Sequence, residues 1–375
     1  MSENYPGQPG PQPPQQWPPP IQQWPAPQQQ WPPPYAGPPA AAARSFPRFP
    51  HAQPTPYHLM LRTWSYSWWK PIVGALILLV GAMLVAPLVL MPVLAAGVAV
   101  EGGPFLEKFE KAATLQTVDP AALLYLNLTL GALVLITWFI VRVIHQMRPR
   151  WLASVMPKIR WRYLFACLGL AVVALIAQLL VGSVLPGQGQ EGLGGKLNHF
   201  TGSTLAIGLI VLLTTPLQAA GEEYCFRGYL MQAIGSFWGF SSAPRWLPKW
   251  VAIVGTALVF AAAHGAQNFP LFFDRFAFGL IAAWLVTYTG GLEAGIALHI
   301  LNNFLAFGLA LAFGDLTSTL TVSHVGWWNI ALTVTQSGVY TALAVLLANK
   351  MGLRNTTRPP QDDVQTGTGA SVATA

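Results

Sequence analysis

Eight apolar stretches, each long enough to cross a bilayer as a helix, decide what this chain can become. A span takes about 20 helical residues. From Pro71 onward such runs cover roughly 71–98, 121–143, 163–185, 200–220, 250–268, 274–290, 292–313 and 326–349. In lipid every backbone amide needs an internal partner, so runs of this kind fold as helices packed on one another. Of the 375 residues 53% are hydrophobic and only 9% charged, against about 25% in an average soluble domain. That is too little charge to solvate a globular surface. The expected fold is all-α, a polytopic membrane bundle of about eight transmembrane helices with disordered tails.

The charges that exist are distributed as topology signals. The formal net charge is +7, but Lys and Arg sit in short clusters beside apolar runs, which argues for orientation in a membrane and against nucleic acid as a partner. Arg44, Arg48, Arg62 and Lys70 precede the first run, and Arg142, Arg148, Arg150, Lys158, Arg160 and Arg162 surround the loop between the second and third. Arg245 and Lys249 follow the fourth, and Lys350, Arg354 and Arg358 follow the last. Glu101, Glu107, Glu110 and Asp119, against Lys108 and Lys111, lie between the first two, which fits the outside. This pattern predicts a multi-pass protein of the plasma membrane with both termini in the cytoplasm. Trp64, Trp68, Trp69, Trp327 and Trp328 suit interfacial belts or packing anchors. The two cysteines, Cys167 and Cys225, form no redox or disulfide pattern.

Residues 1–57 are a different material, holding 19 of the 33 prolines, interleaved with Gln and Trp as in Gln15-Gln16-Trp17-Pro18-Pro19-Pro20. Proline removes backbone donors and favours extended conformations, so this cytoplasmic tail is expected to be disordered, a linker or a docking ligand for an unknown partner or for the lipid surface. No signal-peptide pattern begins the chain. The expected division is then 1–57 tail, 58–160 first helices and basic loop, 161–350 transmembrane core, and 351–375 a second disordered tail.

Ionisable groups at membrane depth cost from about 2.5 to 10 kcal/mol or more, so those inside the core need a reason. Three sets stand out. Glu222, Glu223 and Arg227 follow directly on the fourth run. On a helix Glu223 and Arg227 share a face at i,i+4 and suit an ion pair, which leaves Glu222 as a surplus carboxylate and a candidate base. All three are otherwise charges at a cytoplasmic helix end. His264 lies among small residues in the fifth run, either a packing residue or an imidazole reaching a neighbouring helix. His299 and Asn303 stand one turn apart in the seventh, a pair that offers two donors to an oxyanion, a metal ligand with a support, or an interhelical clamp. Together the sets hold what is needed to activate a water and stabilise a tetrahedral intermediate. The chain has no His-Glu-x-x-His, no Gly-x-Gly-Asp and no Gly-x-Ser with a matching histidine.

Glu222-Glu223-x-x-x-Arg227, Phe260-x-x-x-His264 and His299-x-x-x-Asn303, in that order on three helices, resemble the three motifs of the CPBP family, the type II CAAX prenyl endopeptidases and bacteriocin-processing or immunity proteins. The resemblance covers about residues 160–350. It implies a helical membrane bundle whose site opens toward the cytoplasmic side through a conical cavity. It also implies a glutamate-dependent or metal-assisted endopeptidase. Carried onto this chain, Glu222 looks like the general base, His264 shares its water or a metal, His299 and Asn303 look like the oxyanion pair, and Glu223 with Arg227 the support pair. In the metal-assisted version Glu222, His264 and His299 hold zinc or another divalent ion with a fourth position open.

The expected function is therefore hydrolysis of a peptide bond in a membrane-associated protein or peptide, a lipidated one included, near the cytoplasmic side. The alternative is a non-catalytic binding or immunity-type protein that uses the same polar cavity. A proton-coupled transporter is disfavoured because no internal repeat is visible.

Overall fold

A computed structural model of the chain describes residues 49–186, 197–238, 244 and 246–358. The expectations placed on residues 1–48 and 359–375 lie outside the described residues. The rest is helical, with no strand among the described residues. The long elements are α1 (Trp69–Glu101), α3 (Pro120–Val143), α4 (Trp161–Val184), α5 (Gly202–Trp238), α7 (Phe269–Thr289), α8 (Glu293–Phe313) and α10 (Trp328–Lys350), each long and apolar enough to cross a membrane. Among the described residues there are also three shorter α-helices, α2 (Phe105–Ala113), α6 (Leu247–Ala262) and α9 (Leu316–Leu320), and two 3-10 turns, Tyr57–Leu59 and Pro149–Leu152.

Local sequence sets the boundaries. Asp119 caps α3 by accepting from the Ala122 amide at 2.8 Å with Pro120 behind it, and Thr201 with Thr204 forms a capping box on α5. Among the described residues seven helices are lipid-length where eight were expected, because the fifth run does not stay helical to residue 268. Helix α6 ends at Ala262, Gly265 takes φ 77°, and Asn268 caps α7 by accepting from Leu271. Glycine reaches this left-handed conformation without a Cβ clash, so a turn replaces the last part of the span. Helix α5 departs in the other direction. It runs 37 residues, well past the expected end at 220, and its stretch Tyr224–Leu230 is wound as a π-helix.

The helices pack through small and polar contacts, as expected where lipid supplies no hydrophobic drive. Helix α3 lies along α5 and α1, α4 along α8 and α10, and α7 along α6 and α10. Gly221 lets α5 reach the α3 backbone: a Cβ there would stand 2.0 Å from the Leu130 carbonyl oxygen. One turn higher Asn127 donates to Thr214 at 2.8 Å.

Both described ends of the chain lie at one end of the bundle, and each is anchored there by a few residues. His51 and Thr357 are buried, Thr357 donates its amide to the Thr55 carbonyl at 3.0 Å, and the Tyr57 hydroxyl donates to the Leu152 carbonyl. Their backbone groups pair with each other, which is what keeps residues 49–57 and 351–358 against the bundle. The loop between α3 and α4 closes the same end: the Val155 amide reaches the Gly290 carbonyl at 2.8 Å, and Tyr57, Met60, Leu61, Met147, Trp151 and Leu152 form a buried plug. Arg160, which the sequence reads as a loop cation, belongs to this closure. Its guanidinium binds Glu293 at 2.8 and 2.5 Å and the Thr289 carbonyl at 2.6 Å. A two-pronged guanidinium–carboxylate pair of this kind is the geometry best able to offset burial of both charges. The opposite end is joined more loosely, by Asn198 to Ala312 at 2.8 Å and Asn268 to Ser323 at 2.8 Å.

Candidate functional site

Helices α5 and α8 run side by side and bring Glu222, Glu223 and His299 into one buried cluster. Adjacent residues on a helix point about 100° apart, so the two glutamates face different surroundings. Glu223 points away from the cavity described below. Its Oε1 accepts from Arg227 Nη1 at 2.9 Å and from His299 Nδ1 at 3.0 Å. Arg227 is enclosed completely, with its guanidinium carbon 4.1 Å from the ring centre of Phe260, 5.3 Å from that of Phe278 and 5.9 Å from that of Phe226. Aromatic faces supply the negative potential that water would otherwise supply. The Glu223 Oε2, Arg227 Nε and Arg227 Nη2 atoms are buried without a hydrogen-bond partner among the described residues.

Glu222 faces a cavity of about 460 Å³. Its Oε2 stands 3.8 Å from His299 Nε2. Because Glu223 can only accept, His299 donates from Nδ1, and its Nε2 is the nitrogen turned to Glu222. The other Glu222 oxygen accepts from Gln218, one turn back on α5, and the Gln218 carbonyl accepts from Asn303 Nδ2 at 2.8 Å. Asn303 therefore reaches Glu222 through Gln218. His299 and Asn303 share a face, as their spacing predicts, but each commits an N–H: His299 to Glu223, Asn303 to Gln218.

His264 sits in the turn after α6. Its Nδ1 is 2.8 Å from the Phe260 carbonyl and its ring packs edge-on against Phe260 with centroids 4.7 Å apart. The ring lines the same cavity as Glu222 and His299. Among the described residues it forms no hydrogen bond with either. Arg275 braces the turn by donating to Gln267 at 3.1 Å.

Gln218 is the residue that sequence reading missed. The available signal was its place at i−4 from Glu222 in an otherwise apolar run. Two further polar pairs in the cavity wall also escaped it. Thr333 donates to Asp274 at 2.5 Å, and Gln336 donates to Asn302 at 2.5 Å, each from α10 to a neighbour. These bonds tie α10 to α7 and α8 around the cavity.

The donor set expected for a divalent metal is Glu222, His264 and His299. Among the described residues no three His, Cys, Asp or Glu side chains are gathered closely enough to hold an ion. The trio does not fit one in this arrangement because His264 stands apart, with its Nδ1 on the Phe260 carbonyl, although the bond from His299 Nδ1 to Glu223 leaves Nε2 free.

Residues 202–305 match the family model described as Rce1-like, type II CAAX prenyl endopeptidase Rce1-like. The matched segment runs from the start of α5 into α8 and contains all seven residues named in the three motifs, in agreement with the resemblance drawn from the sequence. No curated protein and no solved structure gives a significant match.

Proposed function

We propose that this multi-pass membrane protein, Rce1-like from residue 202 to residue 305, is an intramembrane endopeptidase in which Glu222 activates the water that attacks a peptide carbonyl. The observation that carries the reading is the division of labour between adjacent acids. Glu223 is consumed by Arg227 and His299, whereas Glu222 faces the cavity with its orientation fixed by Gln218. A base must be held in place and open to substrate, and Glu222 meets both conditions.

In this mechanism water lies between Glu222 and His299 Nε2. Glu222 removes its proton as the oxygen adds to the scissile carbonyl. The Glu223–Arg227 pair holds His299 by Nδ1, so Nε2 keeps its lone pair toward the water. The second N–H of Asn303, with the amide of Asn302 beside it, donates to the developing oxyanion. Glu222 then returns the proton to the leaving amine, which breaks the carbon–nitrogen bond and yields two peptides. No step runs through a metal.

Comparison of membrane-protein termini in cells carrying the wild-type chain and the Glu222→Gln variant tests the function. New termini should appear only with the wild type, and identical termini in the two cells would leave a binding protein as the surviving reading. Chelator-sensitive cleavage restored by zinc would replace the metal-free mechanism.

We place the substrate's route beside Thr319, Leu320, Val322 and Asn329, which line the cavity between α8 and α10 at the end away from the termini. Lys and Arg crowd the terminal end, whereas Glu101, Glu107, Glu110, Asp119 and Asp315 lie at the other against Lys108 and Lys111. With the basic end in the cytoplasm, substrate enters from the opposite side of the membrane, in contrast to the cytoplasmic opening the family resemblance implies. Sided labelling checks this. Cys167 and Cys225 are buried, so an impermeant maleimide on intact cells should modify Thr321→Cys and spare Asn355→Cys. The reverse pattern would turn the cavity to the cytoplasm.

A further inference from the structure

The plugged end of the bundle carries a second concavity, of about 480 Å³, that takes no part in the chemistry above. It is formed where the loop between α3 and α4 meets the segment that follows α10. Arg148, Arg150 and Lys158 come from the loop, and Arg354 and Arg358 from the segment. The lining contains five cations and no carboxylate. Arg148 is half-buried and the other four are exposed. Among the described residues none of the five side chains has a hydrogen bond or ion pair, in contrast to Arg160 on the same loop, which is fully engaged with Glu293.

Five like charges around one hollow repel each other, and the repulsion persists only where the fold holds them or an anion compensates. The fold does hold them. Trp151 and Val155 in the pocket floor are buried, Val155 is bonded to Gly290, and Gly290 packs so tightly against Arg354 that a Cβ there would fall 2.4 Å from its carbonyl oxygen. Thr357 is pinned to Thr55. The hollow is therefore built, with walls from two parts of the chain. Its position narrows the ligand. Met156 in the rim is exposed, and Trp161, three residues beyond Lys158, is 60% exposed at the first turn of a membrane-spanning helix, which marks the lipid interface.

We propose that this pocket binds the phosphate-bearing headgroup of an anionic phospholipid in the adjoining leaflet. Guanidinium groups grip phosphate oxygens in pairs, and basic pockets beside spanning helices recognise anionic headgroups. The acyl chains would run down the face of α4 while the headgroup ties the α3–α4 loop to the carboxyl-terminal segment.

Native mass spectrometry of the full-length protein, titrated with phosphatidylglycerol or phosphatidylcholine, tests the proposal. One phosphatidylglycerol per chain should be retained where phosphatidylcholine is lost. Apparent affinity should fall about fivefold for Arg150→Gln and about 25-fold for Arg150→Gln with Arg354→Gln. Lys249→Gln with Lys350→Gln removes the same charge from the same end outside the pocket and should leave affinity unchanged. An equal fall in that control would reduce the preference to general surface charge and overturn the site. Inorganic phosphate provides the second arm. If phosphate alone binds with the same dependence on Arg150 and Arg354 and displaces the lipid fully at equal concentration, the pocket is a phosphate site and the lipid assignment falls. Lack of displacement upholds it.

Discussion

Glu222→Gln is expected to lower peptide cleavage by about 10²- to 10⁴-fold, the range for loss of a positioned general base, while leaving the thermal unfolding midpoint in detergent almost unchanged. Glutamine has the same shape and keeps an oxygen to accept from Gln218, so the bond that positions the side chain survives. What is lost is the ability to take a proton. The effect should fall on kcat with little change in KM, since the substrate is bound by the rest of the cavity wall. Glu223→Gln should behave differently, lowering stability as well as rate, because it weakens the contacts with both Arg227 and His299. A fluorogenic membrane-anchored peptide in proteoliposomes supplies the measurement. Retention of more than about a tenth of wild-type kcat by Glu222→Gln would remove Glu222 from the role of base.

Arg227→Met is expected to destabilise the protein by about 3–5 kcal/mol, because it leaves the Glu223 carboxylate buried and facing only His299. Methionine fills much of the same volume against Phe226, Phe260 and Phe278, so lost packing is the smaller part. The double variant Glu223→Gln with Arg227→Met should recover a large part of that loss, since it removes the orphaned charge as well. His299 would keep an acceptor for its Nδ1 in the new amide. Unfolding midpoints and yields of the two variants in detergent check the order: wild type, then double, then single. A single variant within about 0.5 kcal/mol of wild type would mean that the pair is not sustaining the fold.

The spans could be read from the sequence because apolar length is a direct consequence of bilayer thickness, and the pairing of Glu223 with Arg227 because it is a one-turn contact. Features that depend on two distant segments could not. Arg160 looked like one more loop cation until the fold set Glu293, 133 positions later, against it. Asn303 looked like a partner for His299 through their shared face, but its amide is occupied by Gln218 on another helix. Gln218 itself was hidden by the apolar run around it. The shortened α6 was hidden for a similar reason: composition carries the run to residue 268, while Gly265 and the Asn268 cap end the helix early. At the first tail the proline content outweighed the pairing of Thr55 with Thr357, which no local pattern announces.

The plug of Tyr57, Met60, Leu61, Met147, Trp151 and Leu152 also bears on turnover. If the cavity beside Glu222 cleaves peptides as proposed, the plug fills the terminal end of the bundle and leaves the end at Thr319, Leu320 and Val322 for passage. Both fragments of a cut peptide must leave by the path the uncut one took, and the fragment still rooted in lipid will obstruct the next arrival. On that reading, cleavage in proteoliposomes should slow as its own products accumulate.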